Sequence, residues 1–301
     1  MNVQGLAQSL GCRLVEPIEK GWSGDRKFLL EDGAGERFVL RLSARQEEPK
    51  KRREFERVRQ LDAMGLPVSR AVAFGCREDA VYQLLGWVEG CDLRQTLPAL
   101  PEDEQYRLGV QASRVLRKIH TLPLRPGEGR SREEQQQKIL SRLDQYEQGQ
   151  LRLPGDERPL RFAREQVGLV GQRPPVWCHG DFHAGNLIYT PQGEAAVIDF
   201  NRMRPVDPYE EFYKVELFDA EDSVPFAAGR IDGYFDGEIP PAFWQVQKVY
   251  VAYTILYSLL WAVPFGQGEV DGMRARYERS MRAYDNFERE IPRWYEDYKK
   301  R

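Results

Sequence analysis

One polar run set between β-rich stretches constrains this chain more than any other feature. Cys178-His179-Gly180-Asp181-Phe182-His183-Ala184-Gly185-Asn186-Leu187-Ile188 puts a carboxylate on a turn loosened by glycine and a carboxamide five positions later. Val197-Ile198-Asp199-Phe200 then ends an apolar run on a second carboxylate. A phosphoryl group in transfer carries charge on its equatorial oxygens. Its site needs one group to orient the attacking hydroxyl and oxygen ligands to hold Mg²⁺ against the phosphates. Asp181 fits the first requirement, and Asn186 and Asp199 fit the second. A lone His-Gly-Asp carries little weight, because turns are rich in Gly and Asp. The full H-G-D-x-x-x-x-N is flanked by β-rich runs at 175–177, 187–189 and 195–200, which makes it far more specific.

On these residues the chain resembles the aminoglycoside phosphotransferase family, the small-molecule-kinase branch of the protein-kinase-like fold, in which Gly replaces the Arg of the kinase His-Arg-Asp loop. The resemblance implies an α+β, bilobal, protein-kinase-like fold. Residues 1–88 would form a nucleotide-binding lobe, an antiparallel sheet plus one helix. Residues 89–301 would form a larger, mostly helical lobe carrying the catalytic loop and the acceptor site. It also implies Asp181 as catalytic base, Asn186 and Asp199 as magnesium ligands, and ATP or GTP as phosphoryl donor.

The remaining site residues follow from position in that family. The turn Gly21-Trp22-Ser23-Gly24-Asp25 stands where the nucleotide-covering loop belongs, so Ser23 and Gly24 are candidates to touch the β-phosphate, although a Gly-x-Ser-Gly turn alone is an ordinary hairpin. Residues 36–42 alternate with period two, as a half-buried strand does. Arg41 on that strand replaces the usual lysine for the α- and β-phosphates, with Lys27 as its understudy. The helix 48–64, opened by Pro49 and closed by Gly65, offers Glu54 as the carboxylate that orients Arg41. The hinge lies at 84–90, where the Gly86 carbonyl and the Val88 amide would pair with the purine edge. Asp207 and Glu211 match an acidic pair that ties a helix to the catalytic loop in the family, with Glu where Asp is usual. His179 and His120 read as structural residues.

Composition narrows the partners. The formal net charge of -3 over 301 residues argues against nucleic acid. Cys12, Cys76, Cys91 and Cys178 are scattered without a CxxC, which predicts neither a zinc site nor a disulfide framework and fits reduced thiols in the cytoplasm. No secretory signal is evident near the start. The apolar run 249–265 is short for a membrane span and is entered by Gln245, Gln247 and Lys248, so a buried core helix is expected and no membrane partner.

The acceptor is the least legible part. Acids dominate beyond Asp207, with Glu216, Asp219, Glu221, Asp222, Asp232, Asp236 and Glu238 against Lys214 and Arg230. A solvated acidic face is the ordinary account. Together with the aromatic tail around Trp294, Tyr295 and Tyr298, the acids favour a small cationic acceptor of aminoglycoside type. Choline, homoserine, a thiosugar or a sugar amine would use the same machinery. A nucleotide-binding pseudokinase or a scaffold or coat protein is the alternative, supported by the Arg41 departure and opposed by intact Asp181, Asn186 and Asp199.

Overall fold

The computed structural model describes residues 2–19 and 24–301. The chain divides into two compact units, Met1–Cys91 with Ile188–Asn201, and Asp92–Leu187 with Arg202–Arg301. Residues 188–201, Asp199 among them, therefore belong to the first unit and not to the 89–301 lobe expected from the sequence.

The first unit is built on five strands, β1 (Cys12–Ile18), β2 (Arg26–Asp32), β3 (Arg37–Ala44), β4 (Ala71–Arg77) and β5 (Ala80–Gly86), ordered β1-β2-β3-β5-β4. All neighbours run antiparallel. Period-two alternation on β3 decides what each face does. Phe38, Leu40 and Leu42 are buried with Leu30 and Leu84 under the short helix α1 (Val3–Ser9), whose Val3, Leu6 and Ala7 complete that core. The other face carries Arg41 and Ser43. The helix α2 (Glu48–Ala63) buries Phe55, Val58 and Leu61, the i, i+3, i+6 positions of one stripe, and packs against β4 and β5. The returning segment 188–201 is anchored by the Val197 amide, which donates to the Pro67 carbonyl at 2.7 Å. Gly90, at φ 138°, faces the same segment so closely that a Cβ would lie 2.1 Å from the Tyr189 carbonyl oxygen, which explains the glycine there.

The second unit is mostly helical: α3 (Leu93–Thr96), α4 (Glu102–Ile119), α5 (Arg132–Gln148), α6 (Glu157–Gln166), α7 (Ala220–Asp222), α8 (Val224–Phe235), α9 (Pro241–Ala262), α10 (Gln267–Ala283) and α11 (Arg293–Lys299). Its tightest packing is α4 against α8. A Cβ on Gly109 would stand 2.2 Å from the Phe226 carbonyl oxygen, and one on Gly229 the same distance from that of Tyr106. Two backbones approach there because neither carries a side chain at the crossing.

The charged stretch 125–166 forms α5 and α6. The first is opened by a capping box between Ser131 and Glu134. Helix α9 and the turn after it, Pro241–Phe265, are long and apolar enough to cross a membrane, with a mean hydropathy of 1.3 and 61% of that window buried. It packs against α5, α6 and α10, and its Lys248 is buried with the ammonium donating to the Phe287 carbonyl at 2.7 Å.

Candidate active site

The first unit supplies a charged cluster on the α2 face of its sheet. Arg41, 7% exposed, spreads its guanidinium over two carboxylates: Nη2 to Asp25 Oδ2 at 2.8 Å and Nη1 to Asp199 Oδ1 at 3.0 Å. Asp25 also accepts from Lys51 Nζ at 2.8 Å and from Ser43 Oγ at 2.6 Å. Burial opposes its ionisation, but the bonds from Lys51 and Ser43 and the charge of Arg41 prevail and bring its pKa down to about 2. Burial likewise opposes the charge on Arg41, and Asp199 and Asp25 outweigh it.

The expected pairing of Glu54 with Arg41 is not what the structure shows. Glu54 pairs with Lys51 at 3.2 Å, and its second oxygen has no hydrogen-bond partner. Lys51 lies on the buried stripe of α2 and sits among carboxylates, while Asp25, just before β2, makes the contact with Arg41 expected of Glu54. A small cleft of about 20 Å³ lies beside this cluster, lined by Arg41, Glu54, Gln83, Leu85 and Asp199 among others.

Three further expectations fall on the first unit. Ser23 lies outside the described residues. Gly24 is exposed, with nothing within 4 Å of where a Cβ would stand. On the hinge, the Gly86 amide donates to Arg70 O at 2.8 Å, whereas the Val88 amide has no hydrogen-bond partner among the described residues. Asp199 holds φ 64°, a left-handed conformation costly for a residue with a Cβ and common at functional positions. Arg41 takes its Oδ1, and no described residue hydrogen-bonds its Oδ2.

The second unit carries the catalytic loop, braced on both sides. The strand Val176–Cys178 enters it and pairs antiparallel with Arg204–Val206. Gly180 holds φ 83° and lies so close to the Arg202 carbonyl that a Cβ would be 2.4 Å from its oxygen. Its amide donates to Glu211 Oε1 at 2.6 Å, the Asp181 amide to His179 Nδ1 at 3.2 Å, and the Ala184 amide to Asp219 Oδ1 at 2.8 Å. Arg230, fully buried, donates to the Phe182 carbonyl at 3.2 Å and pairs with Asp219 at 2.6 Å. Asn186 Nδ2 donates to the Asp181 carbonyl at 2.8 Å. This bond fixes the amide so that its Oδ1 is left for another partner.

Asp181 itself meets three basic side chains. Lys214 Nζ stands 2.6 Å from its Oδ1, Arg202 Nη1 3.6 Å from its Oδ2, and His183 Nε2 3.7 Å from its Oδ1. Burial pushes the carboxyl up, yet the Lys214 charge and its neighbours drive it below the usual carboxylate range. His183 goes the other way: burial, then Lys214, lowers it to about 3, so its ring is neutral at pH 7. Neither Lys214 nor Arg202 is marked by the sequence pattern around the loop. Lys214 opens the π-helical turn Val215–Asp219, a rare element often found at functional sites.

The acidic pair at 207 and 211 divides its work. Glu211 holds the loop through Gly180, settling its role, whereas Asp207 caps Pro208–Phe212 and binds the Gly171 amide and Arg173. His120 is structural as read: its Nδ1 stands 2.7 Å from the Tyr234 hydroxyl. His120, Cys178 and Glu211, all buried, bring ligand-type atoms within 4.8 Å of one another, a grouping that the scattered sequence positions conceal.

The acids beyond Asp207 do not form a free acidic face. Glu216 is buried against Trp294 and Ser280; Asp219 pairs with Arg230; Glu221 with Arg276 and Arg279; Asp222 with Arg94. Asp232 is held by Tyr106, Tyr295 and Lys299, and Asp236 by Arg117.

Asn186 Oδ1 in the second unit and Asp199 Oδ2 in the first each offer an oxygen not engaged by described residues, the donor type that Mg²⁺ prefers.

An antiparallel sheet with one long helix, a loop of the form H-G-D-x-x-x-x-N and an aspartate after an apolar strand define a protein-kinase-like phosphotransferase. The chain matches the model of the phosphotransferase enzyme family, APH, over residues 14–244, and it belongs to that family. No curated protein sequence matches it. Among solved structures it is similar to a macrolide 2'-phosphotransferase of type I, with 17% identity and a TM-score of 0.64 over 91% of this chain and 95% of that one. It is also similar to a thermostable mutant of aminoglycoside phosphotransferase APH(4)-Ia in a ternary complex with ADP and hygromycin B, with 17% identity and a TM-score of 0.66 over 92% and 97%. A macrolide 2'-phosphotransferase from Brachybacterium faecium matches at 14% identity and a TM-score of 0.63 over 91% and 96%. These similarities establish the fold.

Proposed function

We propose that this protein transfers the γ-phosphoryl group of ATP, or of GTP, to a hydroxyl of a small molecule in the cytoplasm, with Mg²⁺ as cofactor. The observation that carries the reading is Asp181: an ionised carboxylate on a loop pinned at Gly180, Asp181 and Ala184, within reach of solvent at 17% side-chain exposure. Family membership supports the reaction class, and the ADP in one structural neighbour supports the donor.

Asp181 orients the acceptor hydroxyl and takes up its proton as the oxygen attacks. Its depressed pKa makes it a weak base, so positioning is the larger part of its work. Asn186 and Asp199 would hold the metal, which when bound neutralises charge on the phosphate oxygens. Arg41, oriented by Asp25 and Asp199, steadies the phosphates. Val88 offers a free amide to the purine, and Gly24 with Ser23 covers the phosphates.

The net charge of -3 supports a small-molecule partner over nucleic acid. The expectation of a cationic, aminoglycoside-like acceptor rests on acids of which Glu216, Asp219, Glu221, Asp222, Asp232 and Asp236 are engaged in ion pairs or hydrogen bonds, so they support it less than their number implies.

ADP release from Mg²⁺-ATP and Mg²⁺-GTP, measured across a panel of hydroxyl compounds, tests the proposal. Acceptor-stimulated release supports it. Tight nucleotide binding with no release under any condition would replace it with the pseudokinase alternative.

A further inference from the structure

We infer that the acceptor carries an anionic group, a carboxylate or a phosphate, close to the hydroxyl it presents to Asp181. The inference rests on the phosphotransferase reading above and assigns the charge of its second substrate.

Within the second unit the base is surrounded by cations. Lys214 is buried, and its ammonium is committed to Asp181 Oδ1. Arg202 differs. Its side chain is 42% exposed, its nearest carboxylate contact is the 3.6 Å approach to Asp181 Oδ2, and its guanidinium makes no hydrogen bond to any described residue. A planar fork of donors beside the reacting position, held by one ion-pair contact and no hydrogen bond to a described residue, suits a carboxylate or a phosphate.

The neighbouring surface has the same sign. Phe218 is half-buried, with Lys214 Nζ 4.7 Å and the Arg276 guanidinium 4.8 Å from its ring centre and the His183 ring stacked on it at 5.1 Å. Carboxylates are present, but each is shared or matched: Glu221 lies between Arg276 and Arg279, Asp222 pairs with Arg94, and Asp219 is cancelled by buried Arg230. Leaving out that last pair and counting Glu216, whose charge acts on Arg279, five cations (Lys214, Arg202, Arg276, Arg279, Arg94) stand with four carboxylates (Asp181, Glu216, Glu221, Asp222), an excess of one positive charge. An ammonium brought to Asp181 would meet two cations already within 4 Å of that carboxylate. An anion would meet a half-exposed guanidinium whose hydrogen-bond donors no described residue takes.

Matched acceptors separate charge from shape. Rates of ADP release from Mg²⁺-ATP are compared for gluconate, glucose and glucosamine, for ribose 5-phosphate against ribose, and for kanamycin A as a polycation. The sugar-acid and sugar-phosphate arms distinguish carboxylate from phosphate. In at least one arm kcat/KM for the anion exceeds that of its neutral partner by roughly tenfold, the worth of one charge-assisted hydrogen bond. Arg202→Gln then contracts that ratio toward one by raising KM for the anion alone. Equal losses of kcat for charged and neutral acceptors would instead give Arg202 a role on the transferring phosphoryl and overturn the assignment. Turnover of glucosamine or kanamycin A ahead of every anion overturns it while leaving phosphoryl transfer standing. Absence of Mg²⁺-ATP turnover with every compound overturns both readings.

Discussion

The Lys214 ammonium stands 2.6 Å from Asp181 Oδ1, a buried cation set directly on the carboxylate that orients the acceptor. The contact stabilises the charged form of Asp181 against the burial that opposes it. A depressed carboxyl stays ionised until the pH falls below its lowered pKa. The acid limb of the kcat/KM profile assignable to Asp181 therefore lies below about pH 4, the ordinary carboxylate value. Lys214→Met removes the charge and lets burial dominate. Its acid limb moves up toward neutral pH, and kcat falls by roughly 10 to 100-fold. A pH–rate profile of the two proteins checks both statements.

Asp25 anchors the cluster of the first unit through Arg41, Lys51 and Ser43. Asp25→Ala leaves Lys51 with Glu54 and Arg41 with Asp199 alone, which costs about 3 kcal/mol, the usual penalty for breaking a buried pair. In the native protein the pKa of Asp25 falls from 3.8 to about 2. Its contribution, about 2 kcal/mol, is complete above pH 4 and is lost as pH falls through 2. Urea unfolding between pH 2 and pH 7 shows the loss in the native protein and its absence in the variant.

His120 and His183 are both lowered to about 3, burial being the first cause in each. Below pH 6.5 the unfolded chain takes up protons that the folded chain refuses until about pH 3. Each histidine thus removes stability as the pH falls through that window, by about 1.4 kcal/mol per unit at the steepest. His183→Asn lessens the slope of unfolding free energy against pH between 6 and 4, a difference that chemical denaturation at several pH values measures.

Gly109→Ala forces a methyl group into the α4–α8 crossing, where the Phe226 carbonyl oxygen is 2.2 Å away. The expected cost is about 1–3 kcal/mol, as for overpacking of a close-packed core. Gly24→Ala meets nothing within 4 Å and leaves the unfolding midpoint unchanged. Thermal unfolding of the pair provides an internal control.

Much of this arrangement is legible in the chain because local rules decide it. Alternation on β3 and the Pro49 and Gly65 punctuation of α2 give those elements their bounds within a residue or two. The H-G-D-x-x-x-x-N spacing marks the loop, since Asn186 must reach back to the Asp181 carbonyl. What escapes is pairing across long separations. Glu54 looks like the partner of Arg41 because it is an acid on the right helix, yet nothing local reveals that Lys51 turns inward and that Asp25, a lone acid in a turn, completes the cluster. Lys214 and Arg202 read as ordinary surface cations until folding brings them to Asp181. The acids from Glu216 to Asp236 count alike in a charge sum whether solvated or locked to arginine. An acceptor charge inferred from composition therefore has the opposite sign to one inferred from contacts.

The central claim is that Asp181 orients the attacking hydroxyl, and Asp181→Asn tests it most directly when transfer and nucleotide affinity are measured on the same preparation. In that variant phosphoryl transfer falls by roughly 10²–10⁴-fold while the Kd for Mg²⁺-ATP stays within about twofold. Transfer at the native rate by that variant would contradict it.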